Sequence, residues 1–297
     1  MRCRIAAAAV LVAAAVAGCS SSPAAPAAPA APAGPAGPAA PDGLGGRAGA
    51  TPYWTRQRLL GAQGWSHRRT LPSPGSTPSP RGNAHSPRVG ALFDSDSSGD
   101  HFCTASVVDS PGGNVLITAA HCVNSGSGGA NRANVEFIPD YADGNSSDGV
   151  WTPERYVLSP RWVNGADPDF DVAFIVLKPL NGKNIQDVLG ANTIVFNAGY
   201  KHLVRVTGYP STADAPISCL SWTSEQSQTQ LKFNCQDFTG GTSGSPWLTR
   251  FDPITRTGAI VGVIGGYQQG GDTPAVSYSV YLNDGIQKLY AEATTGS

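Results

Sequence analysis

The chain has 297 residues, 40% of them hydrophobic and 14% charged, enough to bury a full core in one or two domains. Its 36 glycines and 24 prolines argue against a mostly helical protein. The net charge of −1 hides two opposed halves: residues 1–88 carry nine Lys and Arg against one acid, and residues 89–297 carry eleven against twenty. Phosphate contacts need clustered Lys and Arg, so the acidic main body speaks against a nucleic-acid partner. No run of 18 apolar residues follows the N-terminus, so no ordinary membrane span is expected.

In chain order, Arg2 and Arg4 precede the apolar stretch Ile5 to Ala17, which suits a signal peptide over residues 1–18. The stretch ends Val16-Ala17-Gly18-Cys19 and resembles a bacterial lipobox, in which the Cys is lipidated and becomes the mature N-terminus. The alternative is ordinary cleavage near Ala17, with Cys19 incidental. The lipobox reading puts a lipid anchor at Cys19 and the protein in the envelope or exterior of a bacterium, on the outer face of the membrane. Residues 19–50 are rich in Ala and Pro and form a tether that cannot build a core, extended at about 3.1 Å per residue where polyproline-like. Residues 51–88 are either a pro-segment or a disordered arm; their first part, TPYWTRQRLLGAQGWSHRR, favours a short helix.

From Val89 the texture changes to short strand-like runs punctuated by Gly, Asn, Asp and Pro: Phe102–Val108, Val115–Thr118, Val135–Ile138, Val172–Leu177, Leu203–Val206 and Ala259–Ile264. Such spacing predicts an all-β body over residues 89–297, a sandwich or barrel. Ile286, Leu289, Tyr290 and Ala293 follow the helical period, with Asn283 or Asp284 as the cap, so one helix closes the chain. Asp94, Asp96 and Asp100 resemble part of a calcium loop, but Ala105 stands where the twelfth-position Glu is needed, and a solvated acidic hairpin is expected instead. Setting aside Cys3 and Cys19, four cysteines remain and permit three pairings. None has Cys-x-x-Cys spacing, so no metal is expected, nor any cofactor.

Three segments carry chemistry. Leu116-Ile-Thr-Ala-Ala-His121-Cys122 places a His at a strand end, Asp167-Pro-Asp169-Phe-Asp171 leads into an apolar strand, and Gly240-Gly241-Thr242-Ser243-Gly244-Ser245-Pro246 is a tight Gly-rich turn. In the order His, Asp, Ser, with Thr207-Gly208-Tyr209-Pro210 between, these segments resemble the chymotrypsin-fold serine endopeptidases, and most of all the bacterial branch that includes glutamyl endopeptidases. The resemblance covers residues 89–297. It implies two six-stranded antiparallel β-barrels with the site between them, and protein or peptide substrates; a monomer is expected.

The same resemblance implies the roles. Ser243 is the nucleophile, His121 the base and Asp171 its orienting carboxylate, while Gly241 and Ser243 offer backbone N–H groups to the oxyanion. Asp167 and Asp169 are rivals of the same chemistry nearby. The disulfides implied are Cys103–Cys122, clamping the His loop, and Cys219–Cys235, just before the Ser turn.

Two departures stand out. Thr242 replaces the Asp that animal enzymes place before the nucleophile, which removes the usual partner for a new N-terminal amine. No His follows residue 202, so the acidic specificity of glutamyl endopeptidases is disfavoured; the matching stretch is Gly262-Val263-Ile264-Gly265-Gly266. Asp237, six residues before Ser243, falls where trypsin's pocket carries its Asp, which suggests a preference for Arg or Lys; the alternative is an exposed loop carboxylate. With that preference the chain could cut its own arm at Arg88, the junction before Val89, or nearby. A binding module that keeps the fold without turnover, and an esterase with the same triad, are the rival functions.

Overall fold

A computed structural model describes residues 52–65, 78–82 and 84–295. Cys19, the signal segment and the tether lie outside the described residues. The strands, in chain order, are β1 (Gln63–Gly64), β2 (Val89–Asp96), β3 (Gly99–Val108), β4 (Val115–Thr118), β5 (Ala133–Pro139), β6 (Pro153–Leu158), β7 (Ala173–Leu177), β8 (Thr193–Ile194), β9 (Leu203–Gly208), β10 (Ile217–Ser227), β11 (Gln230–Asn234), β12 (Pro246–Asp252), β13 (Thr257–Val263) and β14 (Val276–Val280). The helices are α1 (Arg56–Gly61), α2 (Pro160–Gly165), α3 (Ile185–Leu189) and α4 (Asp284–Thr294).

Two curled seven-stranded sheets result. The first runs β5-β2-β3-β4-β7-β6, all antiparallel, with β1 added in parallel to β3. The second runs β14-β11-β10-β9-β12-β13-β8, antiparallel except that β8 lies parallel to β13. Each therefore holds the six antiparallel strands expected, plus one short parallel addition.

Alternation explains why β4 and β7 read as unbroken apolar runs. Leu116, Ala173, Ile175 and Leu177 face the core of the first sheet, with Leu92, Phe137 and Trp151. Their neighbours Val115, Ile117, Phe174 and Val176 face a second core shared with Leu248, Ile260 and Val280. Both strands are thus buried on two sides, and neither needs a polar face. The shared core is closed by α4, where Asn283 accepts from the Gly285 and Ile286 N–H groups and Ile286, Leu289 and Ala293 point inward. Among the described residues no helix is long and apolar enough to cross a membrane.

The chain ahead of Val89 is folded onto this body wherever it is described. Trp54 and Leu59 bury against Val89, Ala91, Phe93 and Tyr141, so that β2 is covered on its outer face as well. Tyr53 and Arg58 both reach Asp100 Oδ1, at 2.7 and 2.8 Å. The acidic hairpin expected to be solvated thus receives the basic arm. Farther along, Arg81 and Ser218 exchange two backbone hydrogen bonds, and Gln236 N–H donates to Pro78 O at 2.8 Å. The junction at Arg88 lies inside the sheet: its carbonyl accepts from Val107 N–H, and Val89 is buried at the start of β2. Cutting there requires β2 to leave the sheet first.

Candidate active site

His121 sits in the 3-10 turn Ala120–Cys122 that follows β4 directly. Cys122 is disulfide-bonded to Cys103 of β3, which fixes that turn to the neighbouring strand. Asp171 ends a second 3-10 turn, Pro168–Phe170, immediately before β7. Because β4 and β7 are paired, with Thr118 opposite Ala173, their ends bring the two side chains together.

Asp171 is 0% exposed, and three N–H donors satisfy it. His121 Nδ1 lies 2.8 Å from Oδ2, His121 N–H donates to Oδ1 at 2.9 Å, and Gly266 N–H donates to Oδ2 at 2.9 Å. A proton on Nδ1 facing the carboxylate leaves Nε2 as the acceptor, the tautomer a general base requires. The rivals are engaged elsewhere. Asp167 caps its own turn and pairs with Arg161, while Asp169 accepts from Gln230 Nε2 at 2.8 Å.

The Ser243 turn comes from the second sheet and packs on the first. Ser243 O accepts from Thr104 N–H at 2.7 Å, and Thr104 Oγ1 donates to Gly241 O at 3.0 Å. Gly244 has φ +83°, and a Cβ there would stand 2.0 Å from Thr104 O and 2.2 Å from Thr118 Oγ1. Only glycine lets this turn lie against the strand end that leads to His121. Ser243 and His121 are 3% and 6% exposed. Thr242 is fully buried, and its hydroxyl donates to Thr239 O at 2.7 Å, so it closes the turn locally.

Gly241 is not free. Its N–H donates to the carbonyl of Trp65 at 2.9 Å, and a Cβ on Gly64 would stand 2.6 Å from the Gly240 carbonyl. The arm therefore lies backbone to backbone on the 240–241 peptide. Trp65 is the arm's anchor. Its own N–H donates to Phe102 O at 2.9 Å, its indole N–H to Asp94 Oδ2 at 2.6 Å, and its rings sit between His101 (centroids 4.0 Å apart) and the Arg132 guanidinium (3.8 Å). Burial at this contact raises the Asp94 carboxyl to about 7, against the lowering effect of the Trp65 hydrogen bond and Arg132.

Asp237 is exposed, on a turn in the left-handed region at φ +64°, rather than at the base of a closed pocket. Cys219 and Cys235 are bonded, joining β10 to the end of β11. Cys103, His121 and Cys122 cluster as metal ligands would, yet the disulfide leaves neither sulfur as a thiolate and His121 is held by Asp171.

Two contributions escaped the sequence reading. A Cβ on Gly265 would stand 2.9 Å from Asp171 O and 3.2 Å from Ala119 Cβ, so the glycine pair 265–266 is what lets the end of β13 approach the carboxylate. Two adjacent glycines after an apolar strand were the available signal. Trp65 carried none beyond its size.

The chain matches the Trypsin family over residues 75–285. Among solved structures it is similar to the thermostable serine protease AL20 from an extremophilic microorganism, at 32% identity and TM-score 0.65, over 71% of this chain and 99% of that one. It is also similar to the protease Anisep from Arthrobacter nicotinovorans, at 25% identity and TM-score 0.66, over 73% and 100%. A Glu endopeptidase shares the fold, at 16% identity and TM-score 0.59, over 74% and 98%. No curated protein sequence matches the chain.

Proposed function

The chain belongs to the trypsin family and is a serine endopeptidase, and we propose that it is an exported one that works through His121, Asp171 and Ser243. The observation that carries this reading is the buried His121–Asp171 pair, 2.8 Å apart, at the strand ends against which the Ser243 turn packs. A Ser hydroxyl attacks a peptide carbonyl only if a base takes its proton. His121 Nε2 is that base, and it later returns the proton to the leaving amine. Asp171 holds the ring and stabilises the imidazolium that forms. The backbone N–H groups of Gly241 and Ser243 receive the oxyanion, and water then resolves the acyl-enzyme.

Residues 51–88 act in this reading as a pro-segment. The support is the Gly241 N–H donated to Trp65 O: while that bond stands, one of two oxyanion donors is occupied. Two disulfides support an oxidising, extracellular setting. Lipid attachment at Cys19 rests on the Val-Ala-Gly-Cys sequence, and Cys19→Ser should release the protein from the membrane fraction. An Arg or Lys preference rests on Asp237 alone, and its exposure speaks against a buried counter-charge.

Digestion of a peptide library, read by mass spectrometry, tests activity and specificity together. Internal cleavage by wild type and none by Ser243→Ala is expected. Equal cleavage by both contradicts the reading, and an unchanged Arg or Lys preference in Asp237→Ser removes Asp237 as its source.

A further inference from the structure

Away from the catalytic cleft, residues 81, 82 and 84–86 and the second sheet line an open pocket of about 280 Å³. Its walls include Arg81 and His85 from the arm, Arg205 and Ser218 from β9 and β10, and Arg256 from the β12–β13 turn. In a body with twenty acids against eleven basic residues, three guanidinium groups converge here. Among the described residues none of the three forms an ion pair with a carboxylate. Asp140 is the nearby acid, and it is taken by His85 Nδ1 at 3.1 Å and Ser86 N–H at 2.8 Å.

The donors are held in place but not used up. Arg205 lies over the Phe251 ring at 4.7 Å, its Nε is buried with no acceptor, and its Nη1 makes only a 3.4 Å contact with Ser218 Oγ. Burial, and then the Arg81 charge, lower the pKa of Arg205, as expected of like charges gathered without a counter-ion. Arg256 gives one N–H to His85 O at 3.1 Å. Ser218 Oγ accepts from Thr207 Oγ1 at 3.1 Å and keeps its own proton to donate. Planar forks approaching one space from three chain segments suit an oxygen-rich anion bound by several at once.

We propose that this pocket is a binding site for a phosphate or sulfate group, which ties the arm to the second sheet. The site is independent of the catalytic reading, since none of its residues belongs to the cleft. Because Arg81 and His85 come from the arm and Arg205 and Arg256 from the body, the anion should also tighten arm docking.

The test uses the full chain carrying Ser243→Ala, so that self-digestion cannot intrude, titrated calorimetrically with sodium phosphate and sodium sulfate against sodium chloride at matched ionic strength. Saturable binding of both oxoanions is expected, with the melting temperature rising only in their presence. Arg256→Gln, on an exposed turn, should weaken binding at least tenfold while leaving the melt in chloride unchanged; Arg205→Gln should do the same if it folds. Glycerol 3-phosphate forms a second arm: tighter binding than inorganic phosphate assigns the group to a larger molecule, and equal binding assigns the free ion. Unchanged affinity in Arg256→Gln, or a response that follows ionic strength whatever the anion, overturns the proposal.

Discussion

The two halves of the candidate site differ in how they are supported. The His121–Asp171 half sits at the ends of paired strands of the first sheet, is clamped by Cys103–Cys122, and has its buried carboxylate met by three N–H donors, two from His121 and one from Gly266 beyond β13. The Ser243–Gly241 half is a turn from the second sheet leaning on Thr104, and its Gly241 donor is bound to the arm. The His121–Asp171 pair has all its partners within the body, whereas Gly241 gives its N–H to a segment outside it. If the arm acts as a pro-segment as proposed, occupying that one N–H suffices for control and leaves the buried His121–Asp171 pair undisturbed.

That contrast can be broken from either side. The largest effect is expected from Asp171→Asn, which keeps the shape but cannot hold His121 in the same tautomer; kcat for peptide cleavage should fall about 10⁴-fold, with His121 Nδ1 still adjacent. Gly241→Ala should come next. Its φ of +89° and the Phe102 ring 2.2 Å from the new Cβ force the turn to move, and the loss of one aligned donor lowers kcat by about 10²–10³. Thermal melts separate that loss from misfolding.

Trp65→Ala acts in the opposite direction. It removes the indole from between His101 and Arg132 and breaks the bond to Asp94, so the Gly241 N–H should be released and peptide cleavage should rise, by no more than the roughly 10²–10³ one donor is worth. A fall in activity with unchanged stability contradicts the pro-segment reading.

The smallest effect is on stability against pH. Asp94 is raised from 3.8 to about 7 by burial, so the folded state holds a proton that the unfolded chain has lost. The Asp94 contribution to stability is therefore fullest below about pH 4 and is lost as pH rises towards 7, by on the order of 4 kcal/mol. Arg132, Asp96 and Asp100 are the other charges bearing on this carboxyl. Denaturant melts of Asp94→Asn should lose that slope, and a slope unchanged from wild type would place its origin elsewhere.

Much of the candidate site was legible from residues because its signals are local. Ala-Ala-His121-Cys122 and Gly-Thr-Ser243-Gly each sit within one turn, and the runs that become β4 and β7 announce their burial by lacking polar positions. The α4 period and its Asn283 cap were equally readable. The arm was not, because its contacts are long-range: Trp54 reaches Asn134 and Trp65 reaches Asp94 and Gly241. Composition marked the arm as basic and the hairpin as acidic without saying that Asp94 and Asp100 would be its receptors. Asp237 shows the converse: spacing from Ser243 says nothing of exposure, and the residue is exposed with φ +64°.

The central claim is that Ser243 is a nucleophile activated by His121. Labelling the intact protein with a fluorophosphonate probe, followed by peptide mapping, addresses it most directly. The adduct is expected on Ser243, greatly slowed in His121→Ala and gone in Ser243→Ala. A probe that attaches to another residue, or that labels Ser243→Ala as fast as wild type, would contradict the account.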